Sequence, residues 1–290
     1  MRYRSRVPRA PVSWSVDVVW HYAGAAIGCG SEWTVADGRS ELVVNLRDEP
    51  TRVRDGAGGG TERLAGIALC GPRTAPYELD VAGPYELMGA VFRPGGVPSA
   101  TGVAADELFG RWIGAQDIWG RHASWLYDRL RTATSVAARL EVLEDALATW
   151  LARRAPAKTH PAVVHAIGVL EDAARVHTVR SLHAELTIGG RHFTQLFREA
   201  VGMPPKRFAR VQRFQRALAA LDAVSEPDWP QLALDAGYHD QPHMAREFRE
   251  FAGLSPTRYG QARARHRAHV PREVLPFHTI CGVAHHGTLG

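Results

Sequence analysis

The 290-residue sequence predicts an α+β protein, with a strand-rich first domain that ends in helices and an all-helical second domain. Three observations predict it. Short runs of β-branched, aromatic and aliphatic residues, bounded by Gly, Pro, Asp or Asn, fill residues 12 to 110. From about Ala104 the apolar residues recur instead at three- and four-residue steps. Lastly, Phe197 to Phe208, FREAVGMPPKRF, is echoed 51 positions later by Phe248 to Tyr259, FREFAGLSPTRY, and a repeat of this period is one supersecondary unit used twice.

In the first part, Val16 to Trp20, Glu41 to Leu46, Leu64 to Leu69 and Tyr85 to Phe92 read as strands, and the glycine-rich run from Asp55 to Gly60 as a loop between them. That run lacks the Lys-Ser/Thr and the following helix of a phosphate-binding loop. Two helices follow, with a stripe of Trp125, Leu126 and Leu130 and another of Val136, Leu140, Leu143, Leu147, Trp150 and Leu151, expected to form core or a dimer seam. The first domain is thus expected over residues 1 to 152, helical from 111. Residues 153 to 161, with two prolines and no apolar period, read as the linker.

The second domain, 162 to 267, is expected to hold seven helices, over 162–175, 179–186, 191–201, 205–221, 229–236, 241–251 and 256–265. Residues 268 to 290 show no period and read as an irregular tail. Upstream of each repeat copy lies a short helix, a turn and a second helix, which is a helix-turn-helix pattern. In the second copy Gly237 suits the left-handed helix end, Ala233 the close helix crossing, and Asp240 the N-cap of the next helix. Met244, Phe248 and Phe251 then form the buried stripe, leaving Gln241, Pro242, His243 and Arg246 on the exposed N-terminal side.

Such residues reach base edges when a second helix lies in the major groove. Arg246 suits guanine, Gln241 adenine, and His243 can donate. By the same phase, Phe193, Leu196 and Phe197 are inward in the first copy, and Arg191, His192, Thr194 and Gln195 read. Along the helix expected over 205–221, Lys206, Arg207, Arg210, Arg213 and Arg216 recur, candidates for backbone phosphates together with Arg258.

Charge agrees with a polyanion partner for the second half. Residues 1 to 152 carry 16 Lys+Arg against 18 Asp+Glu, and residues 153 to 290 carry 19 against 12. No apolar run is long enough to span a membrane, and the basic start lacks a signal-peptide core, so a cytoplasmic protein is expected. Cys29, Cys70 and Cys281 lack metal-site or disulfide spacing and read as reduced, buried thiols.

Gly237 to Phe248, GYHDQPHMAREF, followed by Gly253-Leu-Ser-Pro256 and Arg258-Tyr259, resembles the signature of the AraC/XylS family of bacterial transcription regulators over about residues 160 to 265. The resemblance implies two helix-turn-helix units joined by a long helix, here residues 205 to 221 with Phe208, Val211, Phe214, Leu218 and Leu221 inward. Their second helices are then expected to enter successive major-groove segments on one face of double-stranded DNA. The first unit departs from the family at His183, Thr187, Gly189 and Gln195, where a small residue, a turn Gly, a Ser cap and a base-reading Arg are usual.

Trp33 to Leu46, Gly89 to Gly96 and Ile118 to Gly120 resemble a cupin-like regulatory barrel found upstream of such units. The resemblance implies a homodimeric activator that works with RNA polymerase and answers to a small-molecule effector. Asp37, Arg39, Glu41 and Arg93 are the candidate effector residues, Arg93 offering a fork to a carboxylate, although such residues more often serve turns and structural ion pairs. No cofactor or metal is expected, the cupin H-x-H pattern being absent, and no enzymatic activity. Two alternatives remain. One is an enzyme carrying the same module, such as an acceptor of DNA alkyl damage at Cys29 or Cys70; the other is a first domain that only dimerises.

Overall fold

The computed structural model describes residues 2–24, 30–56, 60–153, 159–172, 182, 186, 188–224, 226–269 and 279–281. Two antiparallel sheets make the first domain. The larger holds β1 (Arg2–Arg6), β2 (Val16–Gly24), β4 (Glu41–Asn45), β7 (Ile67–Cys70), β9 (Tyr85–Phe92) and β10 (Trp112–Gly114), in the order β1-β2-β9-β4-β7-β10. The smaller, in the order β11-β3-β8-β5-β6, holds β3 (Ser31–Thr34), β5 (Thr51–Asp55), β6 (Thr61–Leu64), β8 (Tyr77–Asp80) and β11 (Thr279–Cys281).

Alternation divides the strand side chains between two layers. Val43 and Val91 point into the space between the sheets with Val53 and Leu64 of the smaller one, and Trp20 and Tyr22 close it. Leu42, Val44, Ala90 and Phe92 point the other way, onto helices. Every residue of β4 is therefore buried, which is why its centre, Leu42 to Val44, is apolar without a break. The covering helices are α1 (Val97–Thr101), α2 (Ala115–Trp119), α3 (Arg121–Thr132) and α4 (Val136–Arg153). Leu126, Leu130, Leu140, Leu143 and Leu147 are at most 5% exposed there, and Trp119 stacks on Trp150 with centroids 4.1 Å apart.

Several expectations need correction. Trp125 is not in the stripe: it is 52% exposed, because the buried face of α3 runs through Ala123, Leu126 and Leu130. The single strand expected over 64–69 is two, broken at Gly66, whose φ of 63° turns the chain. β10 interrupts the expected helical stretch, and the tail is not wholly irregular, since β11 pairs with β3 (Ile280 opposite Trp33).

Among the described residues the second domain holds α5 (Pro161–Glu171), α6 (Gly190–Val201), α7 (Pro205–Ala223), α8 (Trp229–Asp235), α9 (Gln241–Ala252) and α10 (Pro256–His269). Of the helix expected over 179–186, most residues, His183 among them, lie outside the described set, as does Thr187; Leu182 is buried. Phe208, Val211, Phe214, Leu218 and Leu221 of α7 are all 0–2% exposed and form the spine of the helical core. Leu196, expected inward, is half-buried.

The helical core continues into the first domain through Trp33, Val35 and Ala36. Trp33 Nε1 donates to the Ala252 carbonyl at 2.8 Å, and Gln215 Nε2 to the Ala36 carbonyl at 2.7 Å. Ala36 N donates to Phe251 O at 3.2 Å, and Ala105 N to Glu199 O at 2.7 Å. The two glycines that the repeat shares, Gly202 and Gly253, end α6 and α9 at φ 91° and 70°. Both press on the first domain. A Cβ at Gly202 meets Pro72 Cγ at 2.5 Å, and one at Gly253 meets Trp33 Cζ2 at 3.0 Å. Among the described residues no helix is long and apolar enough to cross a membrane.

Candidate nucleic-acid interface

The second repeat copy is built as its residues dictate. Asp228 caps α8, accepting from Gln231 N at 3.2 Å. Gly237, at φ 87°, makes the turn, and Tyr238 N closes it on the Ala233 carbonyl at 2.8 Å. Ala233 is fully buried where α8 meets α9. Asp240 Oδ1 then caps α9 by accepting from His243 N at 2.7 Å. Met244, Phe248 and Phe251 are fully buried, so Gln241, Pro242 and Arg246 are left exposed and His243 half-buried.

A buried carboxylate fixes α9 in azimuth. Glu247, with only 3% of its side chain exposed, receives Arg210 Nε at 2.8 Å and Arg213 Nη2 at 2.6 Å, both from α7. His243 Nε2 lies 3.7 Å from the same carboxylate, and the Arg213 guanidinium lies 4.8 Å from the centre of the Tyr238 ring. Burial and Glu247 together raise the Tyr238 hydroxyl, which therefore stays protonated. A glutamate one position after an exposed arginine looks like helix surface; only the heptad-like phase of Met244, Phe248 and Phe251 hinted that it turns inward.

In the first copy Arg191, His192 and Gln195 are exposed and Thr194 is half-buried. Thr194 Oγ1 donates to the Gly190 carbonyl at 2.8 Å, and Gln195 Nε2 to Glu199 at 2.6 Å. The N-cap of α6 is Gly189, which offers no side-chain acceptor, so the first-turn N–H groups of α6 remain unpaired by a cap.

Both second helices place their C-terminal glycines on the first domain and their N-terminal turns at the opposite end. Each has 12 residues. At 1.5 Å per residue that separates the exposed turn from the docked end by about 18 Å. The joining helix α7 has 19 residues and spans about 28 Å, close to one turn of duplex.

The cations on α7 divide by partner. Lys206 is exposed, as is Arg258 at the start of α10. Arg207 Nε donates to Thr74 Oγ1 of the first domain at 2.9 Å, with the guanidinium 5.9 Å from the Phe109 ring centre and 3.8 Å from Glu250. Arg210 bridges Glu247 and Glu250 and covers Phe251. Arg207 and Arg210 are thus occupied by protein groups.

The four candidate effector residues are split between two cavities. Glu41 and Asp37 line a space of about 20 Å³ inside the barrel with Cys70, Arg73 and Tyr77. Burial holds the Glu41 carboxyl far above its usual range. Arg93 lines a groove of about 600 Å³ where the first domain meets α5, together with Trp14, Asp17, Val164 and Glu171; Arg39 borders both spaces. Cys70 is buried and its thiol is pushed up to about 12, so it is not a nucleophilic thiolate at neutral pH. Cys29 lies outside the described residues. Among the described residues no group of three or more His, Cys, Asp or Glu is placed to hold a metal ion.

Residues 182–262 match a helix-turn-helix domain family, and residues 4–113 match a family described as a domain of unknown function, DUF6597. A curated relative from Haemophilus influenzae, an uncharacterized HTH-type transcriptional regulator, is 29% identical over 93 residues, covering 32% of this chain and 31% of its own length. The chain therefore spans about a third of that relative. Among solved structures, ToxT from Vibrio cholerae aligns over 90% of this chain and 98% of its own at 9% identity and a TM-score of 0.48. The AraC-like transcriptional activator CuxR aligns over 75% and 86% at 11% identity and a TM-score of 0.29.

Proposed function

From the premise that residues 182–262 are an AraC-type helix-turn-helix domain, we propose that this protein is a sequence-specific DNA-binding transcription regulator whose first domain answers to an effector. The observation that carries the reading is the far-end exposure of both second helices. Their C-terminal glycines dock on the first domain, while Arg191, His192 and Gln195 on α6 and Gln241, Pro242 and Arg246 on α9 face solvent. DNA can then be engaged without displacing the first domain.

In this reading α6 and α9 enter successive major-groove segments joined by α7. Arg246 forks onto guanine, Gln241 pairs with adenine, and His243 and Thr194 contact base edges from the half-buried sides of their helices. Lys206 and Arg258 take phosphates, as do the uncapped N–H groups at Gly190 and Arg191. Arg207 and Arg210 contribute to DNA binding by holding α7 and α9 in place rather than by touching phosphate. Homodimerisation, a contact with RNA polymerase, activation of transcription and a cytoplasmic location belong to the same proposal.

Footprinting on the DNA beside its own gene tests it. Two protected segments about one helical turn apart are expected, both lost with Arg246→Ala. Protection unchanged by that substitution rules out α9 as the reading helix.

A further inference from the structure

The groove between the first domain and α5 has a built chemistry. Trp14 stands at its edge with 76% of its surface exposed, and Val164 of α5 faces it with 56% exposed. Two large apolar side chains left open on one rim mark a place where something else packs. Below them lie four charges, Asp17, Arg39, Arg93 and Glu171.

Those charges are not equivalent. Asp17 Oδ2 takes Arg39 Nη1 at 3.1 Å and Asp17 Oδ1 takes Arg93 Nη2 at 3.2 Å. Arg39 Nε is held as well by Asp37 at 3.0 Å, and Arg93 Nε by the Ser13 carbonyl at 2.9 Å. Both guanidinium groups are therefore matched by carboxylates already. Glu171 has no hydrogen-bond or ion-pair partner among the described residues, and desolvation against the groove, opposed by Arg39, raises its carboxyl. Among the described residues these four charges and Asp37, which holds Arg39, sum to one negative charge, with Glu171 the carboxylate left over. An anionic ligand entering here would compete with Asp17 for the arginines and sit beside Glu171. A cation would meet a carboxylate that no described residue pairs, beside an exposed indole, the ring type that attracts cations best.

We propose that this groove binds a small organic cation with an apolar or aromatic body, its charge against Glu171 and Asp17 and its body between Trp14 and Val164. The inference rests on the reading that the first domain answers to an effector, and it adds the site and the ligand class. Because α5 packs on both α6 and α7, an occupant touching Val164 and Glu171 also touches the helical unit that carries the first reading helix. The site thus lies where the first domain meets the helical domain, beside the helix that supports α6 and α7.

The full-length protein, titrated calorimetrically with benzyltrimethylammonium chloride, is expected to take up one cation per chain. Benzoate and benzyl alcohol are expected to bind at least about tenfold more weakly. Glu171→Gln and Trp14→Ala are each expected to weaken the cation by about tenfold or more. Both side chains are exposed, so unchanged melting of the unliganded variants and an unchanged two-segment footprint show that they fold. No cation binding, benzoate binding as tight as the cation, or a Glu171→Gln variant with unaltered affinity each overturns the proposal. A change in self-association with Trp14→Ala, without a change in cation affinity, overturns it too and assigns the groove to a second copy of the chain. A missing footprint in the wild type defeats the regulator reading instead, whatever the titration gives.

Discussion

Replacing Glu247 by alanine strips two arginines of one buried acceptor. Removing one partner of a buried ion pair costs about 3–5 kcal/mol when the remaining charge stays buried. Here the remaining charges do not stay fully buried: the Arg210 and Arg213 side chains are 31% and 21% exposed, and Arg210 keeps Glu250. Rehydration brings the expected loss down to about 2–3 kcal/mol. For a chain of this size that is a fall in Tm of about 5–10 °C. Glu247→Gln, which keeps the shape and one acceptor oxygen, should lose roughly half as much. Urea unfolding followed by tryptophan fluorescence measures both, and a double-mutant cycle with Arg213→Ala isolates the pair. A Glu247→Ala variant within about 0.5 kcal/mol of wild type, or a coupling below that value, refutes the claim that this carboxylate fixes α9 on α7. DNA binding should weaken in parallel, since Arg246 is adjacent on the same turn.

Asp240→Ala removes the side-chain acceptor that caps α9 and should cost about 1 kcal/mol, read by urea unfolding; a change near zero means the cap is not used in solution. Gly89→Ala puts a Cβ 2.1 Å from the Leu42 carbonyl oxygen and 2.8 Å from the Trp20 ring at the centre of the larger sheet, so the variant should not accumulate as soluble protein. Glu32, which accepts from the Tyr22 hydroxyl at 2.7 Å, has its carboxyl raised by burial to about 7. The folded chain therefore holds a proton there that the unfolded chain has released, and this contribution to stability fades as pH rises from about 4.5 to about 7. Glu32→Gln should flatten that slope, and unfolding midpoints with the same pH slope as wild type would count against it.

How much was legible depended on where each residue finds its partner. β2, β4 and β9 announce themselves because helices cover one face and the second sheet the other, so each carries consecutive apolar residues, Val18 to Trp20, Leu42 to Val44 and Leu87 to Phe92 around Gly89. β1, β3 and β8 read RYRSR, SEWT and YELD, where polar residues equal or outnumber apolar ones, and β3 and β8 find each other only across more than forty positions. The elements of the second repeat copy were readable from Gly237, Asp240 and the phase of Met244, Phe248 and Phe251, since caps and stripes are local. Long-range polar matches were not. Arg207 and Arg210 look like a basic stripe until Thr74, 133 positions from Arg207, and Glu247 are brought against them. The groove likewise joins Trp14 and Asp17 to Val164 and Glu171, a neighbourhood no spacing rule could suggest.

The pairing of β11 with β3 means that the helical domain is fastened to the same partner on both sides of its own sequence, where it begins after α4 and where the chain returns at Thr279–Cys281. Release of the helical domain from the first therefore requires three residue pairs of strand to be unzipped in addition to the loss of the Trp33, Gly202 and Gly253 contacts. In mechanical terms the reader is riveted through its face and stitched again at its trailing edge.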